Sequence, residues 1–397
     1  MKNEDVDFEV VRTRDLNAIM GDKTYEEAYD ELIERERPDI LMLNPQRFQR
    51  YVADGKLAEL DPFMVRDKYD IDGFLPGMVD ELRQIGGDKL YGLAPQFYGT
   101  AVYYNKDLFT KYGVELPHNG MTWEEIVDLA QHFPSDGGEQ SRIYGLASYY
   151  PPEVEWQALV YSTSAGLTTV NPDTMQVTIN TESWKKVYEL ALETIKSKAI
   201  YTPGEGGPTK SNEDEYYKSQ PFIMGHAAMT VATGSLLPEL KKAKTVVKGY
   251  TPFEIGLAAG PADPADPGTI RENTLGEIFA INANASNKDA AWEFIKFVNS
   301  NEFARIHYSN PSSLKTRTGA GMKYDGIDLS AFYTLKIKLN NNSNSKQSKI
   351  PDAFHSEFRK IQDREIQSVL DGNKSLNKAL EAMQSKGQEV LDLALRR

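Results

Sequence analysis

The sequence predicts an α/β chain organised in two lobes. Three observations carry this: a length of 397 residues, buried-type strand runs alternating with amphipathic helices, and Pro/Gly-rich breaks too short to separate independent domains. A single hydrophobic core stops growing at roughly 250–300 residues, so a chain of this length divides its apolar residues between two cores. Hydrophobic residues make up 40% and charged residues 26%, an ordinary globular composition.

The elements follow in order. Val6, Phe8 and Val10 alternate with charged residues and read as a half-buried strand. Thr24 and Glu27 form a capping box, followed by Tyr25, Ala28, Tyr29, Leu32 and Ile33 at helical spacing up to Pro38. Ile40 to Leu43 is an uninterrupted apolar run, read as a strand covered on both faces and ending in the turn Asn44, Pro45, Gln46. Strand, helix, strand in this order predicts a parallel sheet. Ala101 to Tyr104 is a second buried strand, with a short helix over 105–112. Thr122 and Glu125 form another capping box before the apolar stripe Ile126, Leu129, Ala130, Phe133, which Pro134 to Gly138 ends. Trp184 to Ile195 and Ala290 to Val298 are amphipathic helices, the latter after a strand at Glu277 to Asn282. Pro203 to Pro208 and Gly260 to Gly268 are breaks, Asn340 to Ser345 is a polar loop, and helices run from Phe354 to the end.

Composition excludes several functions. The net charge of -13 is interspersed along the chain, against a nucleic-acid partner. With no cysteine there is no disulfide, thiolate metal site or cysteine nucleophile. No apolar run reaches the roughly 20 residues of a membrane span, and Met1 to Asp7 contains no signal-peptide core. The G-x-S-x-G, P-loop, G-x-G-x-x-G and H-E-x-x-H motifs are absent. The Asp67, Asp70, Asp72, Gly73 stretch has the wrong register for a calcium loop, and the five histidines lack ligand spacing. No catalytic residue, cofactor or metal is expected.

The stretch from Asp88 to Pro95 (DKLYGLAP) and TAVYYNKDLF at Thr100 to Phe109 closely resembles the family 1 extracellular solute-binding proteins of ABC importers, of the sugar-binding type. PDILMLN at Pro38 to Asn44, MTWEEIVDLA at Met121 to Ala130, GHAAMTVATGS at Gly225 to Ser235 and SNKDAAWEFIKFVNS at Ser286 to Ser300 follow in the family's order, so the resemblance spans nearly the whole chain. It implies a type II periplasmic-binding-protein-like fold with a hinge and an inter-lobe ligand cleft. Lobe one would comprise 1–103 plus 275–315, and lobe two 104–274 plus 316–397. It further implies a monomer that captures a carbohydrate, an oligosaccharide, and docks on a membrane permease outside the cell, lipid-anchored or periplasmic. The family's signal sequence, lipid-bearing cysteine, first strand and first helix have no counterpart here, so the resemblance implies N-terminal truncation. The same fold could instead serve a peptide or another polar ligand, or present it to a sensor; a carbohydrate-active enzyme is the remaining alternative.

Ligand-binding candidates come from five places along the chain. Asn44, Gln46 and Arg47 follow a strand, where open α/β sheets bind ligands. Gln96 and Tyr98 precede the first lobe crossing, and Tyr150 and Trp156 flank Pro151 and Pro152 in an aromatic loop suited to stacking on a sugar ring. Thr233, Ser235 and Glu277 offer small polar or acceptor groups. Each has a bland alternative as turn, cap or core. Several family members place tryptophans where this chain carries Leu236 and Glu277, so two stacking platforms are absent.

Overall fold

A computed structural model describes residues 7–134, 142–203, 212–306, 310–318, 322–339 and 349–396. In chain order, the first principal elements are α1 (Tyr25–Glu36), β1 (Ile40–Leu43), α2 (Pro45–Ala53), β2 (Gly92–Leu93), β3 (Thr100–Asn105), α3 (Lys106–Tyr112), α4 (Trp123–Ala130), β4 (Tyr144–Ala147) and α5 (Val154–Ser164). There follow α6 (Glu182–Lys196), β5 (Ile200–Tyr201), β6 (Ala227–Thr233), α7 (Leu236–Val246), β7 (Ile255–Ala259), β8 (Ile278–Ile281), α8 (Lys288–Val298), α9 (Asp352–Leu370) and α10 (Leu376–Ala394).

The chain forms two compact units. Unit 1 comprises Met1–Phe97, Leu275–Tyr308 and Lys315–Gly321; unit 2 comprises Tyr98–Thr274, Ser309–Leu314 and Met322–Arg397. The first passage therefore falls at Phe97/Tyr98 rather than after 103, and the chain returns briefly to unit 1 at 315–321 before the C-terminal helices.

In unit 1 a three-stranded sheet has the order β1-β8-β2, with both pairings antiparallel. The parallel sheet expected from the strand, helix, strand order is thus not formed: the partner of β1 arrives more than 200 residues later and runs the other way. Nor is β1 covered on both faces, since Met42 is 52% exposed. Residues 7–10 carry the predicted alternation but are not a strand; Phe8 is 55% and Val10 73% exposed, and no strand pairs with them. Val6 lies outside the described residues. The unit 1 core gathers Leu41, Leu43, Phe48, Tyr51, Ile278, Ile281 and Trp292, each nearly inaccessible.

In unit 2 a five-stranded sheet has the order β7-β3-β6-β4-β5. β4 is parallel to both β5 and β6, while β3 is antiparallel to β6 and to β7. The carboxyl ends of β4, β5, β6 and β7 and the start of β3 therefore share one end of the sheet. Helix α4 packs on β4 where Gly145 leaves no room for a side chain: a Cβ there would sit 1.9 Å from the Ala130 carbonyl oxygen. Both capping boxes form as the sequence predicts. At α4, Thr122 Oγ1 accepts from Glu125 N–H at 3.3 Å and Glu125 Oε2 accepts from Thr122 N–H at 2.7 Å. Thr122→Ala is expected to cost about 1 kcal/mol, read as a lower urea midpoint at unchanged slope. The predicted helices ending at Ile195 and Val298 form as α6 and α8, and the C-terminal helices as α9 and α10, which belong to the unit 2 core through Phe354, Phe358, Leu380 and Met383. The break beyond Pro203, the helix stop beyond Pro134 and the 340–345 loop lie outside the described residues. No helix among the described residues is long and apolar enough to cross a membrane.

Candidate functional site

In unit 1 the candidate groups collect at one end of the sheet. Leu43 pairs with Ile278, so Asn44, just after β1, and Glu277, just before β8, lie together. Gln96 joins them, because its carbonyl accepts from Gly276 N–H at 2.9 Å. Asn44, Arg47 and Glu277 line a groove of about 770 Å³ with Met42 and Phe279.

Two of these side chains are already employed. Asn44 caps α2, its Oδ1 accepting from Arg47 N–H at 2.8 Å. Arg47, read from sequence as a ligand contact, is instead a structural residue and only 7% exposed. Its guanidinium makes a two-point ion pair with Glu26, at 2.6 and 3.1 Å, and lies 3.7 Å from the centre of the Tyr29 ring. The reason is reach: helix α1 presents Glu26 and Tyr29 on the face where Arg47 emerges, and a planar cation satisfies both. Gln46 and Glu277 are exposed. Lys315, which the sequence did not flag, is buried, its ammonium held below the usual lysine range by burial, and donates to Gln96 Oε1 at 3.5 Å.

In unit 2 the remaining candidates, Trp156 apart, occupy the shared strand end. Tyr98 is 44% exposed just before β3. Thr100 pairs with Thr233 across the sheet, Tyr103 Oη donates to the Thr233 carbonyl at 2.8 Å, and the Thr233 and Ser235 hydroxyls hydrogen-bond at 2.7 Å. Tyr150, also 44% exposed, follows β4. Trp156 is not in the aromatic loop. It sits in the first turn of α5, with the Arg359 guanidinium 5.1 Å over its ring, and lines a different cavity with Asp363 and Ile366. The Pro151–Pro152 break starts a helix, so Trp156 turns to the helical layer while Tyr149 and Tyr150 stay at the sheet end.

Tyr150 shares a cavity of about 260 Å³ with Trp123, Leu146, Ser148, Tyr149 and Val231. Two polar residues here, Trp123 and Glu272, were missed from sequence, and Tyr149 was read only as an aromatic of the loop. The Trp123 indole N–H, the Tyr149 hydroxyl and both Glu272 carboxyl oxygens are buried without a well-formed hydrogen bond, the nearest groups being Trp123 for Glu272 and the Phe222 backbone for Tyr149. Burial pushes the Glu272 carboxyl up to about 8; the Trp123 N–H offsets this in part, and the Asp263 charge adds to it. Burial, then the Glu272 charge, raise the Tyr150 hydroxyl. The segment is pinned on either side of Glu272: Asn273 Oδ1 accepts from Thr100 N–H at 2.8 Å, and the Arg271 guanidinium pairs with Asp263 at 2.8 Å. A tryptophan opening a capped helix reads as core, and an acidic residue between Arg271 and Asn273 reads as solvated, so neither side chain was singled out from sequence.

The model of the family described as bacterial extracellular solute-binding protein matches residues 21–304. A putative binding protein of Brucella abortus (strain 2308) is 25% identical over 308 residues, 75% of this chain and 67% of that protein. Among solved structures, a sugar transporter of Rhizobium etli in an open conformation has a TM-score of 0.63 at 22% identity, covering 92% of this chain and 88% of that one. An ABC substrate-binding protein of Listeria monocytogenes in complex with cycloalternan has a TM-score of 0.55 at 19% identity, covering 96% and 94%. At such identities the structures establish the fold.

Proposed function

The chain belongs to the family of bacterial extracellular solute-binding proteins, and from that premise we propose that it captures a carbohydrate, an oligosaccharide, and delivers it to the permease of an ABC importer. It is a binding protein, not an enzyme. The observation that carries the carbohydrate reading is the strand end of unit 2, where exposed Tyr98 and Tyr150 accompany the Thr233 and Ser235 hydroxyls. Sugar rings present apolar C–H faces and a rim of hydroxyls, so a site for them combines aromatic planes with small polar groups. The solved relatives described as a sugar transporter and as a cycloalternan complex support the same class. In unit 1, Gln46, Gln96 and Glu277 are the groups proposed to reach ligand, with Asn44 and Arg47 holding the start of α2 behind them.

A thermal-shift screen of mono- and oligosaccharides, with short peptides as controls, tests this reading. A ligand that binds only the folded state raises the melting temperature, so a saccharide-specific rise is expected. A peptide-specific rise would move the assignment to the peptide alternative, and silence from folded protein would count against any saccharide in the screen. Tyr98→Ala is expected to weaken the best saccharide about fivefold to tenfold at unchanged melting temperature of the free protein, by calorimetric titration.

A further inference from the structure

Buried polar groups are ordinarily paired, because an unpaired donor or acceptor forfeits its hydration without return. At the strand end of unit 2 a donor, Trp123 Nε1–H, and an acceptor group, the Glu272 carboxyl, are buried and face one another, near enough for the N–H to lower the acid but without closing a well-formed hydrogen bond, beside the cavity that Tyr149 and Tyr150 line. The nearby cation does not serve the carboxyl: Arg271 is engaged with Asp263 at 2.8 Å, and both side chains are buried. The charged and titratable groups around Glu272 are therefore Asp263, the paired Arg271 and Tyr150.

One functional group satisfies both at once. A hydroxyl accepts from an indole N–H and donates to a carboxyl oxygen in the same pose. A carboxylate or phosphate on the ligand could accept from Trp123 and from the protonated Glu272, but its charge would lie beside Asp263, whose counter-ion Arg271 is already taken. We propose that Glu272 and Trp123 form a hydroxyl-recognising pair in unit 2, with Tyr150 covering the sugar ring, so that this protein selects neutral hydroxylated ligands over their anionic counterparts. This rests on the carbohydrate reading above and adds the residues and the charge class.

The test uses the full chain with maltotriose, cellotriose, raffinose and xylotriose as neutral probes and glucuronic acid, galacturonic acid and glucose 6-phosphate as anionic ones, each followed by calorimetric titration. Binding of at least one neutral probe, with no anionic probe tighter, is expected of the wild type. Glu272→Leu and Trp123→Phe should each weaken that probe at least about tenfold, the loss of one buried hydrogen bond to ligand. Glu272→Gln, which keeps an acceptor and the shape, should stay within about fivefold. The free-protein melting temperature of Glu272→Leu should be unchanged or higher, since an unpaired acid has been replaced by an apolar side chain; a purely structural role predicts a lower one. Binding within twofold of wild type in both Glu272→Leu and Trp123→Phe overturns the pair while leaving the carbohydrate reading in place. An anionic probe as the tightest ligand overturns the charge selection. Folded wild type that binds none of the neutral probes overturns the pair and the carbohydrate reading together.

Discussion

Asp263→Ala is expected to destabilise unit 2 by about 3–5 kcal/mol, the cost of leaving one member of a buried ion pair alone. Asp263 is 1% and Arg271 7% exposed, and Arg271 Nε donates to Asp263 Oδ2 at 2.8 Å. The pair is also a local staple. The other Asp263 oxygen accepts from Ala265 N–H at 2.9 Å, so the aspartate fixes the turn leading back toward the strand end. Gly166 closes the guanidinium in from the other side: a Cβ there would lie 2.6 Å from Arg271 Cζ. Arg271 is thus buried and hemmed in on that side, so removing its partner leaves its charge largely out of water. Urea unfolding of Asp263→Ala, Arg271→Met and the double variant measures this. The double variant should recover most of the loss, because an apolar pair of similar volume avoids the stranded charge. A double variant as unstable as the sum of the two singles would mean that the turn, not the charge pair, carries the effect.

How much of this could be read from sequence depends on how local the determining interaction is. Thr24 with Glu27 and Thr122 with Glu125 close hydrogen bonds within four residues, and both helix starts fall where the sequence places them. Ala101 to Tyr104 is a central strand flanked on both sides, and its continuous apolar run signals that burial. Periodicity does not encode the partner or its direction. The neighbour of β1 is β8, far along the chain and antiparallel, and alternation at Phe8 and Val10 produced no strand because no partner edge pairs with it. The site divides in the same way. Tyr98 and Tyr150 stand out as aromatics in non-periodic segments beside a strand, and both are exposed. Arg47 has the same kind of address after β1 but is drawn into Glu26 and Tyr29, a contact between two helices that neither segment announces. Glu272 is the opposite case: an ordinary acidic residue in sequence whose environment is assembled by Trp123, Asp263 and Tyr150 from three separate segments.

That environment gives the second large effect, a pH dependence of stability. In the folded chain burial pushes Glu272 up to about 8, whereas in the unfolded chain the carboxyl returns to its ordinary 4.5. Between those values the folded state holds a proton that the unfolded state has released, so stability falls as pH rises. The contribution is fully present below 4.5 and is lost as pH climbs to about 8. Glu272→Gln is neutral at every pH and lacks this loss. The stability of Glu272→Gln relative to wild type should therefore be flat at low pH, widen through the window, and level off above it. At about 1.4 kcal/mol per pH unit the gap approaches about 5 kcal/mol as a ceiling. Urea midpoints of the two proteins at pH 5, 6.5, 8 and 9 would show it as divergence. A constant offset across that range would mean that the carboxyl ionises normally and is solvated in the folded protein. Asp263 enters the same experiment, because its charge adds to the rise: in an Asp263→Asn background the divergence should begin at the same pH but level off at a lower one. Folding thus favours a neutral side chain at 272, and a ligand hydroxyl is served by the carbonyl oxygen that such a side chain keeps, so the two roles can be measured separately on one residue.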